Sequence, residues 1–158
     1  MGADLYIESV TKKACRENEG AFHQAAKDRD VARTEEEQRR LQQEVGKYYD
    51  AMYPEGYYFR DSYNEGSLLW QMGLSWWEDV GKLLTKSGYM SVANAKKFKQ
   101  MIADRPISLT HQVKFGHPEW VHDPENPEWQ THFIKHREEL LRFLDNAIEM
   151  NEKIRCSI

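Results

Sequence analysis

The most unusual local feature of the sequence is a concentration of histidine before and within its last predicted helix. Five of the six histidines, from His111 to His136, fall within 26 residues. On an α-helix of 3.6 residues per turn, His132, His136 and Glu139 share one edge. Imidazole and carboxylate groups are ligands for zinc or a similar divalent transition metal, and His122 could add a further ligand. This edge predicts, as one alternative, a metal-binding protein or a metal-dependent hydrolase.

A structural role is the leading interpretation of the same histidines. When the helix is turned so that Phe133, Leu140 and Leu144 face the core, His136 lies on that face and His132 lies at its border. Buried polar side chains are usually satisfied by hydrogen bonds. The H-E-x-x-H spacing of zinc proteases is also absent from the sequence. We therefore predict no cofactor, with zinc as the alternative.

A second candidate site lies in an aromatic block that spans residues 48–77 and holds ten aromatic residues. Aromatic rings bury about 150–250 Å² each, so the block can fill a core or form a binding wall. Four polar residues within it, Arg60, Asp61, Tyr63 and Asn64, precede a strongly apolar segment. They are predicted either to cap the following helix and pair with one another, or to line a binding site.

The composition limits the classes of partner. The 158 residues contain 22 basic and 26 acidic side chains, and the two signs are interspersed, so no phosphate-binding stripe is evident. No apolar run reaches the length of a membrane span, and the N-terminal residues lack the layout of a signal peptide. Two cysteines, Cys15 and Cys156, are too few for a disulfide framework. We expect a soluble, cytoplasmic protein with no nucleic-acid or membrane partner.

The elements that must position these residues are mainly helical. The predicted fold is a single domain over residues 1–158, a bundle of about five helices. Period-two alternation at residues 4–8 and 154–158 also allows a short two-stranded pairing of the N- and C-terminal segments. The predicted helices cover residues 11–32, 34–53, 67–84, 91–105 and 127–152.

Several helix boundaries carry explicit signals. Thr34 and Glu37 have the spacing of a capping box, and Ser67 and Ser91 are suitable N-caps. Asn126 followed by Pro127 marks the start of the last helix. Four of the five prolines lie at 106–127, which predicts a long loop there.

The run GYYFRDSYN at 56–64, followed by LLW at 68–70 and GLSWW at 73–77, resembles a group of small, uncharacterised bacterial and phage proteins that also open with MGADLYI. The resemblance covers most of the chain. It implies a shared fold and a prokaryotic or viral source, and it transfers no catalytic residues.

No complete catalytic motif is present in the sequence. There is no G-x-S-x-G elbow, no phosphate-binding glycine loop, and no cysteine with a recognisable histidine and asparagine partner. Tyrosine and tryptophan, which are abundant here, are enriched at protein interfaces. The leading hypothesis is therefore a non-enzymatic interaction or accessory protein that binds another protein or itself.

Overall fold

The computed structural model of the chain describes residues 2–63, 66–107 and 127–158, with Pro127 and Trp129 described by their backbone alone. The described chain is mainly α-helical, as predicted. The helices are α1 (Glu8–Val31), α2 (Glu35–Met52), α3 (Leu68–Gln71), α4 (Val92–Ala103) and α5 (Pro127–Glu149), with a π-helical turn at Trp76–Val80 and a 3-10 turn at Gly81–Leu83. The strands are β1 (Gly2–Tyr6), β2 (Tyr58–Ser62), β3 (Tyr89–Met90) and β4 (Ile154–Ser157).

The four strands form one antiparallel sheet in the order β2-β1-β4-β3. The predicted pairing of the terminal segments is confirmed, because β1 lies beside β4 with Leu5 opposite Cys156. Strand β2 was not among the predicted elements. Its inward positions are Phe59 and Asp61, so a buried carboxylate interrupts the apolar alternation that marks a strand.

One face of the sheet packs against the helices and forms the main core. Alternate residues of the central strands point inward, among them Ala3, Leu5, Ile154 and Cys156, which are at most 3% exposed. They meet the apolar faces of α3, α4, α5 and the π-helical turn. The largest contributions from these helical elements come from Leu68, Leu69, Trp76, Phe98, Ile102, Leu140, Phe143 and Leu144. This layered arrangement confirms the mainly α class without confirming a helical bundle.

The predicted single helix over 67–84 is wrong, although Ser67 caps its first turn as expected. The helix stops after α3 because Gly73 adopts a left-handed backbone with φ of +68°. Ser75 then begins a new turn by accepting hydrogen bonds from the amides of Trp77 and Glu78, at 3.2 and 3.3 Å. The new turn exposes Trp77, of which 59% is accessible, so the apolar segment is only partly core.

Helices α1 and α2 form an antiparallel hairpin, here called the arm (residues 8–52). The predicted cap is confirmed, since Thr34 Oγ1 accepts a hydrogen bond from the Glu37 amide at 3.2 Å. Every residue from 11 to 56 is described, and none of them belongs to the main core. The arm has its own thin apolar seam, made by Ala25, Leu41, Val45 and Met52.

The remaining helix boundaries agree with the sequence to within a few residues. Ser91 caps α4 by accepting from the Asn94 amide at 3.2 Å. The predicted cap Asn126 and most of the predicted loop at 106–127 lie outside the described residues. Within the described ranges, no helix has both the length and the apolarity needed to cross a membrane.

Candidate functional site

Two groups that the sequence analysis treated separately meet in one cleft. Arg60 and Asp61 lie on β2, and His132 and His136 lie on α5, which packs beside it. The cleft has a volume of about 410 Å³. We call it the His136 cleft; its lining residues are Gly2, Arg60, Asp61, Ser62, Gly66, His132 and His136.

Asp61 is the buried polar centre of the His136 cleft, and only 5% of it is exposed. Its carboxylate accepts hydrogen bonds from the amides of Leu68 and Leu69, at 3.0 and 3.3 Å, and from the indole Nε1 of Trp76 at 2.9 Å. These three donors satisfy a carboxylate that would otherwise be costly to bury. Asp61 therefore fills the first of its two predicted roles, that of capping the following helix.

His136 lies between two carboxylates. Its Nδ1 is 3.1 Å from Glu139 Oε2, within hydrogen-bond distance, and its Nε2 is 3.7 Å from Asp61 Oδ1, the distance of an ion pair. The ring also packs on Phe59, with centroids 4.7 Å apart. Burial opposes the charged ring, but the contacts with Asp61 and Glu139 outweigh it and raise the pKa of His136 above its usual value. The His136 ring thus bridges α5, on which it lies, and the Asp61 carboxylate of β2.

The metal alternative gains no ligand set from the described residues. His132 is exposed, and its ring lies nearly parallel to that of His136 with centroids 6.0 Å apart. Both nitrogens of His136 already face carboxylate oxygens. Across 2–63, 66–107 and 127–158, no three His, Cys, Asp or Glu side chains are grouped as a metal site would require. His122 lies outside the described residues, so the metal site stays a prediction.

The other predicted binding residues occupy different surroundings. Arg60 is exposed on the opposite face of β2, with Nε 3.7 Å from Asp4 Oδ1. Tyr63 packs on Trp77 with ring centroids 5.1 Å apart, and its hydroxyl donates to the Ser157 carbonyl at 3.4 Å. Asn64 lies outside the described residues. The structure therefore brings Asp61 to His136, leaves Arg60 at the rim of the His136 cleft beside Asp4, and places Tyr63 in a separate aromatic pair.

Chemically, the His136 cleft is better suited to holding elements together than to catalysis. A general base needs a ring nitrogen that is free to reach a substrate proton, and both His136 nitrogens are engaged. The carboxylate of Asp61 is likewise committed to three donors. Residues Phe59, Asp61 and His136 form a connection between sheet and helix.

Sequence reasoning missed a set of rings at the base of the arm, here called the tyrosine cluster: Tyr6, Tyr49, Tyr53 and Tyr58. The ring of Tyr53 lies 4.8 Å from both Tyr49 and Tyr58, and 6.3 Å from Tyr6. The Tyr58 hydroxyl donates to Asp4 Oδ1 at 2.5 Å. These contacts fix the arm to the outer face of the sheet. The available signal was the i, i+4 spacing of Tyr49 and Tyr53, which the sequence analysis did not use.

Comparison with known proteins supplies no relative, because no family model, no curated protein and no solved structure matches the chain.

Proposed function

We propose that the chain is a non-enzymatic accessory protein, cytoplasmic and of bacterial or phage origin, that binds another protein through the arm. The observation that carries the proposal is the separation of the arm from the core. None of the residues 11–56 contributes to the main core. At 1.5 Å per residue, the 24 residues of α1 extend about 36 Å. Only the first turn of this projection packs against the core, through Val10, so the rest of its surface is available to contact a partner.

The surface of the arm favours a protein partner over a polyanion or a lipid. Acidic and basic residues alternate along both helices, and several are paired with each other. Lys12 Nζ lies 3.0 Å from Glu8 Oε1, and Arg29 Nη2 lies 2.7 Å from Asp30 Oδ1. Such a surface has no continuous positive stripe for phosphates. It can instead match the alternating charges of another protein surface.

The attachment of the arm also supports recognition. Because the tyrosine cluster holds α2 against β1 and β2, the arm is oriented before any partner arrives. An element that is already ordered loses less conformational entropy on binding than a flexible one. The cluster thus lowers the cost of forming a complex through the arm.

A direct test compares two exposed positions. A photo-crosslinking amino acid replaces Arg40 on α2 in one variant and Lys97 on α4 in the other, and both are expressed in the organism that encodes the chain. We expect a discrete crosslinked product from position 40 and none of the same mass from position 97. A product of twice the mass of the chain would identify the partner as a second copy. Identical products from both positions, or none from position 40, would contradict the proposal.

Reversing the charge at the same two positions tests whether the side chain at position 40 contributes to binding. Arg40→Glu is expected to weaken the captured complex by about threefold to tenfold, because a charge at an interface affects encounter and register. Lys97→Glu, the matched change on α4, should leave the complex unchanged. Thermal unfolding of both variants should match that of the parent, since both side chains are exposed.

The second proposal is the metal-binding protein or metal-dependent hydrolase, with His132, His136, Glu139 and His122 as ligands. It is supported by the position of both described histidines in one cleft beside a carboxylate. Elemental analysis of untagged protein would find about one zinc or similar ion per chain, lost in the His132→Ala and His136→Ala double variant. The absence of stoichiometric metal from the parent protein would rule it out.

A further inference from the structure

A second cleft, of about 520 Å³, lies where α1 leaves the outer face of the sheet. Its lining includes Tyr6, Thr11, Cys15, Arg16, Tyr53 and Arg155. We call it the Tyr6 cleft. None of these residues belongs to the lining of the His136 cleft. Its volume falls within the range of roughly 300–1,000 Å³ that small-molecule sites occupy.

Two of the residues that line the Tyr6 cleft are aromatic. The rings of Tyr6 and Tyr53 have centroids 6.3 Å apart and planes inclined by 52°. Thr11 is buried, and its hydroxyl donates to the Ile7 carbonyl at 3.2 Å, so that hydroxyl proton is already used. The interior therefore offers ring surface to a ligand, and planar aromatic groups pack favourably against such surface.

The polar groups of the Tyr6 cleft that lack partners are all hydrogen-bond donors. Within the part of the chain that the structure describes, neither the guanidinium of Arg16 nor the hydroxyls of Tyr6 and Tyr53 have a hydrogen-bond or ion-pair partner. Burial raises the pKa of Tyr6 to about 12 and also raises the pKa of Tyr53, so both hydroxyls keep their protons at neutral pH.

The other charged groups of the Tyr6 cleft each have a polar partner. Glu8 Oε1 lies 3.0 Å from Lys12 Nζ, and Glu8 Oε2 accepts a hydrogen bond from the Tyr89 hydroxyl at 3.0 Å. Glu19 lies 3.6 Å from His23 Nε2. Among the described residues, neither Arg16 nor Arg155 has a carboxylate partner at this cleft. Arg155 donates to the Ser87 carbonyl and lies over the Tyr89 ring, so Arg16 is the cation whose guanidinium is not engaged.

We propose that the Tyr6 cleft binds a small aromatic carboxylate, with its ring against Tyr6 and Tyr53 and its carboxylate accepting hydrogen bonds from Arg16. Arginine recognises carboxylates by paired, charge-assisted hydrogen bonds. The cleft binds the ligand without reacting with it. Burial, followed by the charge of Glu19, raises the pKa of the Cys15 thiol, so the nucleophilic thiolate is scarce at neutral pH.

The test uses 1-naphthoate and the neutral 1-naphthamide, which carry the same ring, in calorimetric titrations of the full chain. We expect 1-naphthoate to bind about tenfold more tightly than the amide. Arg16→Ala should weaken naphthoate binding by about threefold to tenfold, since it removes a charge-assisted contact at an exposed rim. Arg39→Ala is the matched control, because Arg39 is also exposed and lies on α2 outside this cleft.

A second readout locates the bound probe. Cys15 lines the Tyr6 cleft, whereas Cys156 is buried in the core. Bound 1-naphthoate should slow the alkylation of Cys15 by iodoacetamide, quantified by peptide mass spectrometry.

Equal affinity of the chain for 1-naphthoate and 1-naphthamide would overturn the proposal. Naphthoate binding that is as tight in Arg16→Ala as in the parent would also overturn it. So would alkylation of Cys15 that is as fast at saturating naphthoate as without the probe. These outcomes do not depend on the proposed function of the arm, which is read from crosslinks at position 40. Either proposal can therefore fail while the other stands.

Discussion

The core and the arm are stabilised in different ways within one short chain. In the core, large side chains such as Phe98, Phe143 and Leu140 are completely buried between helices and sheet. In the arm, the buried positions Leu41 and Val45 remain 7% and 8% exposed and form a single seam. Capping, ion pairs and the tyrosine cluster supplement that seam. Packing thus determines the stability of the core, whereas local interactions have a larger share in the arm, which should open at lower free energy.

The largest expected effect tests the packing of the core. Phe143→Ala should lower the free energy of unfolding by about 3–5 kcal/mol, because it leaves a cavity among fully buried neighbours. Leu41→Ala in the arm should cost only about 1–2 kcal/mol, since a two-helix seam near solvent can relax around the missing atoms. Urea denaturation followed by far-ultraviolet circular dichroism, which reports the helices of both regions, would measure both losses. Equal losses in the free energy of unfolding would show that side chains are packed as tightly in the arm as in the core.

The next effect tests the buried carboxylate that joins strand to helix. Asp61→Asn should lower the free energy of unfolding by about 2–3 kcal/mol, because the amide places donor hydrogens among the three donors that Asp61 now satisfies. The control is Glu139→Gln, at a side chain that is 40% exposed, with an expected loss below about 1 kcal/mol. A loss for Asp61→Asn as small as that of the control would contradict the capping role.

A matched pair of helix caps compares the two regions at smaller magnitude. Thr34→Ala and Ser91→Ala each remove one side-chain acceptor, at a typical cost of about 1 kcal/mol. Hydrogen exchange should show Thr34→Ala speeding exchange in the arm alone. Ser91→Ala should instead lower the protection of the core helices together, because α4 packs within them. If Thr34→Ala reduced protection throughout α5, the arm would not open independently.

The smallest effect is a dependence of stability on pH. The pKa of His136 is raised in the folded chain, so its protonation stabilises the fold. That contribution is fully present below the unfolded pKa, near 6.5, and is lost as the pH rises through the higher folded pKa. Urea denaturation from pH 6 to 8 should show the decline. His136→Gln should flatten this part of the profile, and an unchanged slope would assign it to other groups.

Local signals in the sequence predicted the local elements. The capping positions Thr34, Ser67 and Ser91 gave three helix starts, and period-two alternation gave the pairing of the terminal strands. These predictions succeeded because a helix cap depends on residues a few positions away, and an alternating strand depends on having one buried face. The break after α3 was missed because the left-handed conformation of Gly73 and the cap at Ser75 compete with a strongly apolar pattern.

The candidate site was predicted in its parts but not as a whole. The polar group at Arg60 and Asp61 and the histidine edge of α5 were both recognised. Their meeting depends on the register of β2 against β1 and on the packing of α5 beside β2, which no local pattern encodes. The tyrosine cluster was missed for a related reason, since Tyr6 and Tyr53 come together only when the arm folds back on the sheet.

The central pairing of β1 with β4 has a consequence for biosynthesis. Leu5 leaves the ribosome long before Cys156, its neighbour in the sheet, has been added. At about 5–20 residues per second, β1 waits roughly 8–30 seconds without that neighbour. The arm needs only contacts between consecutive helices, and such local structure forms in microseconds to milliseconds. In the nascent chain, the arm should therefore be folded while the apolar residues of β1 are still accessible to chaperones.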